Sequence, residues 1–252
     1  MSVRRYLYAG GANALALPLL PLLLSQGRQA RRNTPRLPEA AGARSGLIQI
    51  AGAAASLRLL AIGESPVAGV GVATQQEAIT CRLASALAQH SGHDVHWQAL
   101  GENGATVGKA LRTLAPQLPA TAQDVVLLAF GVNDTSAFHS ARRFATDLQQ
   151  LIDLVRQQCQ PRLLLLSGVP PVHHLHALPQ PLRSILGLKA AALNQMAREV
   201  AAQSGLQYAP LALDVQQSGL LASDGFHPSA KGVALWADAL AQQVWPLLRS
   251  RA

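Results

Sequence analysis

An α/β fold built on a parallel sheet follows from three observations on this chain of 252 residues. Two short apolar runs, Leu57–Ile62 and Asp124–Phe130, lack polar alternation, which suits strands covered on both faces. Stretches with apolar residues at helical spacing alternate with such runs as far as the C-terminus, so right-handed crossovers should place helices on both faces. The runs stop abruptly at glycine-rich or proline-rich breaks, and it is outside the carboxyl ends of such strands that open α/β sheets hold their ligands.

Taken in order, the first strand, Leu57–Ile62, ends at Gly63-Glu64-Ser65-Pro66 and passes into a small-residue loop. A helix over Glu77–His90, with Ala78, Leu83, Ala84 and Leu87 on one face, stops at Ser91-Gly92. Val95–Leu100 is the second strand, Thr106–Leu114 a short helix ended by Pro116, and Asp124–Phe130 the third strand. A long helix, Ala141–Cys159, precedes Pro161 and a fourth strand at Arg162–Leu166. Gly168–Pro181 is an irregular loop with four prolines and three histidines. A helix over Ile185–Ser204, a fifth strand near Leu206–Leu211 and a last helix, Ala230–Leu248, complete a domain placed at residues 47–252. No internal repeat is present.

Residues 1–46 form a separate apolar and basic arm. Arg4-Arg5 precede an apolar stretch, Tyr6–Leu24, and Arg28, Arg31, Arg32 and Arg36 follow it. An export signal begins in this way, with Ser25-Gln26-Gly27 as a cleavage site, but arginines directly beyond favour the cytoplasmic side. Pro18 and Pro21 are expected to interrupt a helix, and the most apolar part is short for a span. The preferred reading is a segment touching the cytoplasmic face of a membrane through residues 1–36. The alternative is an arm packed on the domain. Thr34–Pro38 reads as an extended linker.

The net charge of +8 and pI near 10.5 invite a nucleic-acid reading. The positive charge gathers near the N-terminus, however, and no basic stripe interleaved with aromatics runs through the body, so no nucleic-acid partner is expected. Aromatics make up 4% of the chain, which points to an aliphatic core. Cys81 and Cys159 fall in helices, outside any Cys-x-x-Cys motif, and read as free packed thiols.

Four segments at the strand ends carry chemistry. Ser65 is a candidate nucleophile. Gly101-Glu102-Asn103-Gly104 allows close backbone approach and a free N–H. Gly131-Val132-Asn133-Asp134 sets an amide side chain at the same edge. In Asp224-Gly225-Phe226-His227 the aspartate can fold back on one turn to hold the imidazole, leaving its other nitrogen as a base.

In this order the four segments resemble the SGNH (GDSL-type) hydrolases over about residues 57–248. The resemblance implies a flavodoxin-like, three-layer α/β/α sandwich with a five-stranded parallel sheet. It also implies hydrolysis of esters or thioesters without metal or other cofactor. Ser65, His227 and Asp224 then form the triad, and the Ser65 N–H, the Gly104 N–H and the Asn133 amide the oxyanion hole. Pro66 fits, because it has no N–H to offer and here the serine's own serves. One position departs: the family usually has aspartate at Glu64, where the acid braces the turn, and the chemistry is expected to survive the added methylene.

Other readings stand beside these. Asp214 competes as the triad acid. Asp134 reads as structural. His173, His174 and His176 look like metal ligands but are more often solvated in such a loop, which could instead flank an acyl pocket. Gly69-Val70-Gly71 lacks the third glycine and the immediate helix of a dinucleotide site. Lys109 and Arg112 read as a solvated helix face. The expected substrate is a small-molecule or lipid ester. The alternatives are an acyltransferase on the same triad and a catalytically silent, membrane-tethered binding module.

Overall fold

The computed structural model describes residues 4–53, 55–211 and 217–250, with side chains from residue 18 onward. The first half of the chain contains α1 (Arg4–Asn33), β1 (Ser45–Ile48), β2 (Ser56–Gly63), α2 (Ser65–Ala68), α3 (Ile79–Ser91), β3 (Asp94–Gly101) and α4 (Val107–Thr113). The second contains β4 (Val125–Ala129), α5 (Val132–Ser136), α6 (Ala141–Cys159), β5 (Leu163–Ser167), α7 (Leu182–Gln203), β6 (Gln207–Ala209) and α8 (Ala230–Arg249).

The strands make one sheet in the order β1-β3-β2-β4-β5-β6. β2 to β6 run parallel, and β1 pairs antiparallel with β3, Ser45 opposite Gln98 and Ile48 opposite Val95. The sequence predicts five parallel strands, so β1 is an addition, and it straddles the boundary drawn between arm and domain at residue 46. Its four residues are mostly exposed and carry no apolar pattern, so neither periodicity nor burial marks it as a strand.

The apolar runs divide their side chains between two cores, as strand geometry requires. Leu60, Ile62, Val126, Leu128, Leu164 and Leu166 face the cluster that includes α4, α6 and α7. Leu59, Ala61, Val125, Leu127, Leu163 and Leu165 face the cluster that includes α3 and α8. Burying one such leucine completely is worth ~1.5–3 kcal/mol, so these three strands alone anchor both layers. α6 shows the complementary helix pattern: Phe144, Leu148, Leu151, Ile152, Val155 and Cys159 are buried along one face. Its start is fixed by Ser140 Oγ, which accepts the Arg143 N–H at 3.1 Å. Cys81 and Cys159 are free and buried.

α1 continues through Pro18 and Pro21, contrary to the interruption the prolines predict. An interior proline costs ~3 kcal/mol, but here the helix is held from outside. Leu23 is buried and Leu19 packs against the core. Gln26 clamps the start of α7, its Nε2 donating to Gln180 O at 2.5 Å and its Oε1 accepting the Leu182 N–H at 3.1 Å. Tertiary docking thus outweighs local propensity. Leu20, Leu22 and Leu24 stay exposed. Among the described residues no helix is long and apolar enough to cross a membrane.

Register positions the chemistry. Gly63, the last residue of β2, stands opposite Gly101 on one side and Ala129 on the other. The three strands therefore end at one level, and the loops that follow them share a rim.

Candidate active site

Ser65 opens the four-residue helix α2 directly after β2, with Pro66 following it. A proline in a first helical turn sacrifices no intrahelical bond. The N–H groups of Ser65 and Gly104, and the Ser65 hydroxyl, have no hydrogen-bond partner among the described residues. Gly104 takes φ +77°, a left-handed conformation that glycine adopts without a Cβ penalty, and the space beside it is open.

Asp224 and His227 lie on a turn closed by an isolated bridge between Leu221 and Pro228. The Ala222 N–H donates to His227 O at 2.8 Å, and the Ser229 N–H to Leu220 O at 2.9 Å. Within it Asp224 Oδ1 accepts the N–H groups of Phe226 (2.9 Å) and His227 (3.0 Å), while Oδ2 lies 2.6 Å from His227 Nδ1. A carboxylate can only accept, so Nδ1 is the donor, and in the neutral ring Nε2 is the nitrogen with the free lone pair. Burial raises the Asp224 acid, but the bonds from the His227 ring and from the two backbone N–H groups outweigh it and hold the carboxyl below the usual range.

Gly71 brings this turn against the Ser65 loop. At its φ of +101°, a Cβ would stand 2.4 Å from Pro228 O and 3.1 Å from His227 Cβ. The Gly69-Val70-Gly71 segment therefore seats the histidine turn, a role its sequence did not announce.

Glu64 is almost fully buried and reaches across to the loop after β4. Its Oε1 accepts the Val132 N–H at 3.0 Å, and its Oε2 accepts both the Asn133 N–H at 3.0 Å and Asn133 Nδ2 at 2.7 Å. Burial pushes the acid up to about 7, with the hydrogen bonds from Asn133 and Val132 pulling the other way. The longer side chain thus ties the Ser65 turn to the Asn133 loop. Asn133 Nδ2 also donates to Ala105 O at 3.2 Å, so the amide is engaged on both hydrogens. The neighbouring Asp134 is fully buried: Oδ2 accepts the Val107 N–H at 3.0 Å and Oδ1 lies 2.8 Å from His139 Nδ1. His139 carried no sequence signal of this bond.

Ser65 and His227 share a small apolar cavity of about 70 Å³ with Phe226, Leu221, Leu175 and Trp236. Pro170 and Leu175 bring in the proline- and histidine-rich loop, which does flank the cavity. Of its histidines, His176 Nδ1 lies 2.6 Å from Arg183 Nη1, and the rings of His173 and His174 meet at a tilt of 42° with centroids 4.0 Å apart. Among the described residues no group of three or more His, Cys, Asp or Glu is placed to hold a metal ion. Asp214 lies outside the described residues. Lys109 pairs with Glu102 at 2.6 Å on the surface, and Arg112 caps the Gly108 carbonyl.

The chain matches the model of the GDSL-like lipase/acylhydrolase family over residues 61–235. No curated protein matches the sequence. Among solved structures, a psychrotrophic esterase, EstA, from Pseudoalteromonas sp. is similar at TM-score 0.58 and 20% identity, covering 76% of this chain and 98% of its own. A lipase/acylhydrolase from Enterococcus faecalis is similar at TM-score 0.57 and 20% identity, covering 75% and 95%. A carbohydrate acetylesterase family member from Sinorhizobium meliloti is similar at TM-score 0.55 and 19% identity, covering 77% and 99%. These likenesses concern the fold, and they leave about a quarter of this chain without a counterpart. With more than half of its length matched by the family model, the chain belongs to the GDSL-like lipase/acylhydrolase family and is a carboxylic ester hydrolase.

Proposed function

We propose that the protein cleaves carboxylic esters or thioesters with Ser65 as nucleophile, His227 as base and Asp224 as the orienting acid. The observation that carries this reading is the 2.6 Å contact between Asp224 and His227 Nδ1, made beside a cavity that Ser65 also lines. Nε2 of His227 takes the Ser65 proton as Oγ attacks the acyl carbonyl, and Asp224 stabilises the imidazolium. The same proton then passes to the leaving alcohol or thiol. Water repeats the sequence to release the acid.

Negative charge on the carbonyl oxygen is met by the two unbonded N–H groups, of Ser65 and Gly104, and by Asn133. Because Asn133 is already engaged twice, the oxyanion takes the hydrogen now held by the Ala105 carbonyl, the longer of its two bonds. Glu64 keeps the other and so fixes the amide's orientation. One such donor is worth ~10²–10³ in rate.

The same reading sets α1 at the cytoplasmic surface of a membrane. Its support is that Leu22 and Arg32 are both exposed on this one helix.

The test is hydrolysis of p-nitrophenyl esters from acetate to palmitate by wild type and Ser65→Ala. Turnover should fall by ~10⁴ or more in the variant. Equal rates in the two proteins would remove Ser65 from the mechanism. Added alcohol acceptors separate hydrolysis from acyl transfer.

A further inference from the structure

A second, far larger hollow also meets the turn that carries His227. It measures about 770 Å³, within the ~300–1,000 Å³ of sites that take whole small molecules. Asp224, Phe226 and His227 line it, as do Asn103 and Ser136, neighbours of Gly104 and of the Asn133 loop. α1 lines it through Leu20, Leu23 and Leu24, and α7, which packs against α1, through Leu182 and Leu186. The cavity that holds Ser65, at about 70 Å³, has room for only a short group. The α1–α7 hollow offers the room that a long substrate needs.

The charges along the groove are of one sign. Arg28, Arg31 and Arg36 line it, and among the described residues none of them pairs with a carboxylate. The one acid in its lining, Asp224, is committed to His227. Arginines of this kind beside leucines recognise an alkyl chain carrying an anionic group. Both the leucine wall on α1 and the arginines belong to residues 20–36, upstream of the family match, which begins at residue 61.

We propose that the N-terminal helix is part of the substrate site and makes the enzyme selective for single-chain acyl esters with an anionic head group. The inference rests on the Ser65 mechanism above and adds to it the element that sets specificity. The leucines of α1 and α7 cover the chain, and Arg28, Arg31 and Arg36 hold the anion. No bond is made or broken by these residues; they act on binding of substrate and transition state.

The test uses the full chain, with octanoyl lysophosphatidylglycerol and octanoyl lysophosphatidylcholine as monomeric anionic and zwitterionic esters, and p-nitrophenyl butyrate as a short neutral one. In Arg28→Glu/Arg31→Glu, kcat/KM on the anionic ester should fall about tenfold or more relative to the zwitterionic one, with the butyrate unchanged. In Leu20→Gln/Leu24→Gln, preference for palmitoyl over butyryl p-nitrophenyl esters should fall about tenfold. These side chains are half-exposed, so folding should persist, and thermal melts of each variant verify it. Equal losses on the anionic and zwitterionic esters, or an unchanged chain-length preference, would overturn the proposal. So would an arginine effect seen only with substrate in vesicles, which would assign the arginines to surface attachment. Octanoyl coenzyme A hydrolysed in preference to both lysolipids would keep the groove's anion selectivity and identify its source as a phosphate-bearing thioester. If wild type fails on the butyrate as well, it is the Ser65 mechanism that fails, not the groove.

Discussion

Replacing Glu64 by glutamine separates what the buried acid costs in stability as it ionises from what its contacts contribute to catalysis. The acid's value of about 7 in the folded chain, against an ordinary 4.5, corresponds to about 3 kcal/mol at ~1.36 kcal/mol per pH unit. The sign follows from which state holds the proton. Between these two values the folded chain keeps a proton that the unfolded chain has lost. The stability linked to Glu64 is therefore complete below pH 4.5, declines as pH rises, and is gone above about 7. Glutamine does not titrate. The stability of the variant relative to wild type should rise by up to about 3 kcal/mol between about pH 5 and 8, read from urea unfolding across that range. Catalysis should move the other way. Glutamine offers one oxygen where Glu64 offers two, yet three N–H donors from Val132 and Asn133 converge on it. Its NH₂ must then oppose one of them and loosen Asn133, lowering kcat on p-nitrophenyl butyrate by about tenfold to a hundredfold with KM little changed, less than the ~10²–10³ of losing a donor. Stability differences that stay constant with pH would refute the burial argument, and a full kcat would refute the positioning role.

Asp224→Asn should leave the turn in place but present His227 with an amide that no longer fixes its tautomer, lowering kcat by ~10⁴ while fluorophosphonate labelling of Ser65 slows in parallel. Gly71→Ala forces a Cβ to 2.4 Å from Pro228 O at a φ of +101°, so it should cost about 1–3 kcal/mol in unfolding free energy and displace His227, seen as lost kcat without matching change in KM. Asp134→Asn breaks a fully buried link between His139 and the first turn of α4; a melt should show about 1–3 kcal/mol of destabilisation, with activity reduced only as far as the Asn133 loop shifts.

The parts of the molecule most legible in sequence are those set by local pattern. The α6 boundaries, Ala141 and Cys159, are marked by Ser140 as a cap and by a continuous apolar face. The Ser65 and Asn133 loops are legible because each follows a nearly continuous buried run, β2 or β4, in the interior of the sheet. What the sequence withholds depends on distant partners. Glu64 bonds a loop 68 and 69 residues away, and nothing near it signals that its added methylene completes the reach. β1 exists because β3 offers it an edge. α1 survives two prolines because α7 and Gln26 hold it. Likewise Gly71 matters for what a Cβ would strike, a property of the folded approach rather than of the segment itself.

The shared level at which β2, β3 and β4 end has a consequence for how activity arises during folding. Ser65, Gly104 and Asn133 follow β2, β3 and β4, whose pairing brings their loops to one rim, and the fourth segment, the His227 turn, docks there against Gly71. Contacts so distant in sequence form late, after the loop-closure entropy of the intervening chain has been overcome. A half-folded chain thus holds no half-active site. On the proposed Ser65 mechanism, recovered turnover in a refolding mixture should count complete molecules, and a nascent chain should carry an inert serine until its C-terminal turn has docked.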